Sequence, residues 1–224
     1  MDKRRQDLPE TLMAAISSSY RRPRGLVIAL LALGGLDLVL NLLTVATAGI
    51  TLADQRHLSA ETLYASGGLV GAMLLLQMVL RCPQLVVRGL WARRLVRNIH
   101  LFQSFAVSPL WAWAGFFVPV VSLWLPGKTL LALSQAYGRR NPVLNGLCIA
   151  WSIARWLNCP SGGFILFTTF VAFHRHWQPV HGLALMLTLD AIGIVSSTLG
   201  LVITPWITRR QPRPDQLDHV EVFT

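Results

Sequence analysis

Three charged side chains stand inside otherwise apolar stretches of the chain: Asp37, Arg155 and Asp190. An ionised group at the centre of a bilayer costs about 2.5–3.5 kcal/mol on insertion scales, so each needs a partner of opposite charge or a wet cavity. The chemistry open to them is a buried pair, Arg155 with Asp37 or Arg155 with Asp190. Such a pair either fixes helix register or passes a proton or an ion. Counted along the chain, Asp37 and Arg155 fall at similar depth and Asp190 nearer the outside.

Other reactive residue types are sparse. His174, His176 and His181 form an HxH with a third ring five residues on. Imidazoles in a turn can hold zinc or copper, but no carboxylate or thiol lies beside these three, so no metal is expected. Cys82, Cys148 and Cys159 are unevenly spaced and contain no CxxC, which points to neither a disulfide framework nor a zinc site. There is no GxSxG, HExxH, Walker or dinucleotide pattern, and no serine or cysteine has an evident base beside it. The expected reading is a protein that is not an enzyme and uses no cofactor.

The elements that position these residues are membrane segments. Of 224 residues 53% are hydrophobic and 13% charged, where a soluble domain carries about 25% charged. Mean hydropathy is +0.50 and the net charge +10. The cations lie in short runs flanking apolar segments and form no separate basic domain, which fits anionic headgroups and excludes nucleic acid as the expected partner. Residues 1–24 read as a basic cytoplasmic segment in which Asp7 can cap a short helix entered at Pro9. The membrane domain covers 25–208, with expected spans at about 26–50, 62–80, 143–173 and 183–207. Ala46-Thr47-Ala48 resembles a signal cleavage site, but its leader is too long, so the first span is read as uncleaved. Gly67 and Gly71 set a GxxxG spacing that allows close helix approach. The span 143–173 is expected to kink near Asn158–Gly163. Over 84–102, Val87, Trp91, Leu95 and Phe102 fall near one helical face. Arg93, Arg94 and Arg97 fall largely on another, and with Arg88 they make a basic helix expected to rest on the headgroups. Residues 209–224 have the composition of a disordered cytoplasmic tail.

Between the second and third spans lies the segment 108–137, apolar and rich in Trp111, Trp113, Phe117 and Trp124 but broken by Pro109, Pro119 and Pro126. Uninterrupted helix on either side of Pro119 and Pro126 is shorter than the ~17 residues a crossing needs. Charge counting agrees. With this segment re-entrant, four crossings put 17 Lys/Arg inside and 2 outside; with it spanning, five crossings put 12 inside and 7 outside. The positive-inside bias favours the first arrangement. The expected fold is all-α: a polytopic bundle of four spanning helices plus a Pro-broken re-entrant hairpin, with both termini cytoplasmic. Its tip, VVSLWL, should sit within the bundle and not face lipid. Five spanning helices is the alternative.

The runs WARRLVRN, SPLWAWAGFFVPVVSLWLPGKTLLAL and VITPWITRRQ resemble the bacterial domain-of-unknown-function 4328 family of multi-span proteins. The resemblance covers roughly Leu63 to Gln211 and rests on Trp91, Asn98, Phe117, Pro119, Leu123, Trp124 and Pro126. Where the family pattern often has Tyr after the second proline and an acid on the following helix, this chain has Gly127 and no acid before Asp190. The resemblance implies a multi-pass protein of the bacterial inner membrane and supplies no catalytic residues.

Two functions are expected to compete. One is a non-enzymatic scaffold or accessory subunit, acting through its basic face and Trp-rich core on a membrane protein partner or on another copy of itself. The alternative is a small oligomeric transporter or channel using the broken hairpin and the Arg/Asp pair. A transporter should show a wet cavity joining Asp37, Arg155 and the hairpin tip; a scaffold should be packed shut there.

Overall fold

The computed structural model describes residues 19–20, 22–54, 60–101, 105–118, 121–138, 141–157 and 179–211. Every regular element among them is helical: α1 (Arg24–Asp54), α2 (Ala60–His100), α3 (Pro109–Ala114), a 3-10 turn (Val121–Leu123), α4 (Leu125–Gly138), α5 (Pro142–Leu157) and α6 (Pro179–Arg209). Three of these contain stretches long and apolar enough to cross a membrane: Arg24–Ala53, Gly68–His100 and Leu187–Arg209. Such lengths and compositions mark a membrane protein. The fourth expected crossing, 143–173, is described only as far as Leu157, the end of the 16-residue α5. Residues 1–18 of the basic leader, the expected kink at Asn158–Gly163 and residues 212–224 of the C-terminal tail lie outside the described residues.

Local chemistry sets the helix starts. The Ser108 hydroxyl accepts from the Trp111 amide at 3.3 Å, with Pro109 in the first turn, and so caps α3. Asn141 does the same for α5, its Oδ1 accepting from the amides of Val143 and Leu144 at 3.0 and 3.3 Å, ahead of Pro142.

One difference from the sequence reading reorganises the molecule. The expected span 62–80 and the expected interfacial helix 84–102 are a single helix of 41 residues that runs through Pro83. Proline removes one backbone donor, and an interior proline is tolerated in membrane helices where neighbouring groups re-satisfy the backbone. Gln84, the next residue, anchors the helix here by donating to the Leu33 carbonyl of α1 at 2.9 Å. Beyond Pro83 the apolar face therefore does not lie on headgroups. Trp91, Leu95, Val96 and Ile99 are buried in a core shared with Phe116, Leu133, Leu144, Trp151 and Ile207. Trp91 also donates its indole N–H to Thr208 Oγ1 of α6 at 3.1 Å.

In the segment 108–137 the described residues form α3, the 3-10 turn and α4, and Gly115 after α3 packs against Leu125 at the start of α4. Glycines set its close contacts. A Cβ on Gly115 would stand 2.6 Å from Leu125 Cδ2, and one on Gly89 would stand 2.8 Å from Trp113 Cδ1, so α3 sits directly on α2. Trp113 and Phe117 pack with their rings tilted at 49° and centroids 5.0 Å apart. Pro126 is buried, and Pro119 lies outside the described residues. The tip VVSLWL is not wholly enclosed as expected: its Trp124 is 55% exposed, and outside the tip Phe117 and Trp111 also face out. Val121 and Ser122 are half-buried, and Ser122 turns toward the bundle interior.

Candidate functional site

A cavity of about 190 Å³ opens between α1, α2, α5, α6 and the hairpin. Its polar wall is Asp37 from α1, Arg81 and Arg88 from α2, Ser122 from the hairpin, Arg155 from α5 and Ser197 from α6. Three guanidinium groups thus share a space with one carboxylate. Asp37 is buried and accepts a hydrogen bond from Ser197 Oγ at 2.5 Å through Oδ2, while its Oδ1 is buried without a hydrogen-bond partner among the described residues.

Trp151 organises the cations. Arg88 Cζ lies 5.1 Å from its ring centroid and Arg155 Cζ 5.3 Å, and Arg155 also lies 4.9 Å from the Phe116 centroid. Cation–π contact of this kind holds guanidinium groups in a region where water is scarce. Gly200 makes the arrangement possible, because a Cβ there would stand 2.8 Å from Arg88 Nη2 and 3.3 Å from Trp151 Nε1. The Arg88 Nε is buried and has no hydrogen-bond partner among the described residues.

From Asp37 a column of buried polar groups continues along the α1–α2–α6 interface. Asn41, Thr44 and Thr51 share the inward face of α1 with Asp37, at spacings that keep them on one side of the helix. Gln77 of α2 donates to Thr44 Oγ1 at 3.1 Å, and the Asp190 carboxylate of α6 lies close to it in the same interface. Asp190 is buried and lies within electrostatic range of both Arg81 and Asp37.

The structure thus brings Asp37 and Arg155 to one cavity and sets Asp190 at the head of the column. It also supplies Arg88, which the sequence reading placed on the membrane surface, and Arg81, which lies just past the expected second span. Arg88 is electrostatically coupled to Asp37 and Arg81 to Asp190. Of the basic surface group, Arg93, Arg94 and Arg97 remain outside the cavity, beside Arg22. Trp151, Ser197 and Gly200 were not singled out by sequence. A usable signal existed in α2, where Gln77, Arg81, Gln84 and Arg88 recur every three to four residues through an apolar run. His174 and His176 lie outside the described residues, as does the side chain of His181; no cluster of metal-binding side chains occurs among the described residues.

A family comparison bears on which part of the chain builds this site. The profile of DUF4328, a domain of unknown function, matches residues 54–211. The chain belongs to the DUF4328 family. The DUF4328 segment contains Arg81, Arg88, Trp151, Arg155 and Ser197, whereas Asp37 comes from α1, ahead of the matched residues. No curated protein and no solved structure matches the chain.

Proposed function

We propose that this DUF4328 protein is a small multi-span transporter that binds a small anionic solute in the cavity between Arg81, Arg88 and Arg155. The observation that carries the reading is that one cavity joins Asp37, Arg155 and Ser122 of the hairpin. Broken helices and buried charges meet in this way at the substrate sites of secondary transporters. Three guanidinium groups stand against two carboxylates, Asp37 in the lining and Asp190 within electrostatic range of Arg81, and the remaining excess of positive charge favours an anion. Asp37 then keeps the empty site from being more strongly cationic.

In this reading the chain crosses the bacterial inner membrane four times with both termini in the cytoplasm, and 108–137 enters and returns on the cytoplasmic side. Both topologies count Arg81 and Arg88 on the inside, so moving them into the bundle leaves the charge argument for four crossings unchanged. The protein acts as a homo-oligomer, since so few helices enclose little volume. The scaffold reading retains one supporting observation, the outward Trp111 and Trp124, which would serve as a partner surface.

The test uses Ser122→Cys in a background lacking the native cysteines, treated in membranes with two water-soluble thiol reagents of similar size and opposite charge. A transporter gives modification by both, with the anionic reagent favoured relative to a cysteine on an open loop. Protection until the protein is denatured means a shut core, and the scaffold reading replaces this one. Single cysteines at Gly138 and Gln211 check the topology; both should label only from the cytoplasmic side.

A further inference from the structure

Where the start of α1 meets the last turns of α2 lies a second, separate concavity, a cleft of about 510 Å³ lined by Arg22, Arg93, Arg94 and Arg97 together with Leu26 and Leu90. No acid lines it. None of the four arginines makes a hydrogen bond or ion pair within the described residues. Each guanidinium presents a planar fork of donors suited to phosphate oxygens.

The surface beside the cleft tells which phosphate. On α2, Leu75, Val79, Val86 and Leu90 are all exposed large apolar residues. At 100° per residue they share one face with Arg93, Arg94 and Arg97. An apolar strip about 22 Å long therefore runs straight up to the arginines. A free phosphate ion would use the guanidinium groups and ignore the strip. A phospholipid uses both, laying acyl chain along Leu75 to Leu90 and its headgroup in the cleft.

We infer that this cleft is a specific site for an anionic phospholipid, and that four arginines suit a headgroup carrying two phosphodiesters better than one. Bound there, the lipid ties the entry of α1 to the end of α2, two elements whose mutual repulsion it neutralises. This site is independent of the cavity and does not require the protein to transport anything.

Native mass spectrometry of the full chain in detergent tests it, with cardiolipin, phosphatidylglycerol or phosphatidylcholine added. Cardiolipin should be retained most strongly and phosphatidylcholine least. Removing two cleft charges by Arg22→Gln with Arg94→Gln should weaken cardiolipin retention roughly thirtyfold, at about 1 kcal/mol per arginine. Arg209→Gln, at the same end of the bundle but outside the cleft, should change it little. None of these three residues belongs to the buried core, and an unchanged melting temperature in lipid-free detergent verifies that the substitutions leave it intact. Equal losses for Arg209→Gln and the cleft pair would reduce the effect to general surface charge and overturn the proposal. So would displacement of the lipid by millimolar inorganic phosphate, or equal retention of phosphatidylcholine.

Discussion

Around Trp151 the interior is apolar: Leu95, Leu133, Leu144 and Ile207 point inward with essentially no exposure, while Val143, Ile149 and Ile153 face out. Beyond Asp37, between α1, α2 and α6, the inward positions turn polar. There the inward positions are Asn41, Thr44, Gln77 and Asp190, while Leu42, Leu43, Leu75 and Val79 face out. The difference follows from the solvent. Apolar side chains gain little by leaving hydrocarbon for a protein interior, so helices in lipid are joined by packing and polar contacts instead. The cavity sits at the border between the two regimes, where both a rigid aromatic wall and a polar lining are available.

The comparison can be broken by substitutions graded across that border. Trp151→Ala should have the largest effect, about 3–5 kcal/mol, because it empties the aromatic wall and frees two guanidinium groups. Thermal unfolding in detergent would show it as the deepest loss in the series. Asp37→Ala leaves the buried Arg88 uncompensated and should cost about 3 kcal/mol. The double variant Asp37→Ala/Arg88→Met should then melt higher than Asp37→Ala alone, which a purely packing role for Asp37 would not produce. Gly200→Ala places a methyl group against Arg88 Nη2 and Trp151 Nε1 and should cost about 2 kcal/mol. It should also slow cysteine modification at Ser122 if Arg88 swings into the cavity. In the polar column, Thr44→Val removes the partner of Gln77 and should cost about 0.6 kcal/mol. Smallest of all, Val79→Ala on the outward face should stay within about 0.5 kcal/mol of the parent. A large effect there would mean the face is covered by protein.

The helical character of the chain and its apolar spans were legible because hydropathy reports length directly: α1 and α6 run close to where Leu26–Ile50 and Leu183–Ile207 predict them. The caps at Ser108 and Asn141 were equally open to reading, since Ser-Pro and Asn-Pro are start signals. The course of α2 was not. A proline followed by four arginines with no acid reads as the end of one helix and the start of a surface helix, and only tertiary contacts reveal that the chain goes straight on. That one misplacement hid Arg81 and Arg88 from the site, although Asp37 and Arg155 were visible as charges without water. Trp151 and Gly200 were illegible for a different reason, because their role depends on which helices meet and sequence periodicity carries no information about that.

Carrying both arginine sets on a single uninterrupted α2 has a mechanical consequence. Arg81 and Arg88 look into the bundle, while Arg93, Arg94 and Arg97 look out beside Leu90. Their rotational phase is fixed by the few residues between them. Deleting one residue between Arg88 and Arg93 would turn one set by about 100° relative to the other. Neither the cavity nor the cleft can therefore drift in register without dragging its counterpart out of alignment.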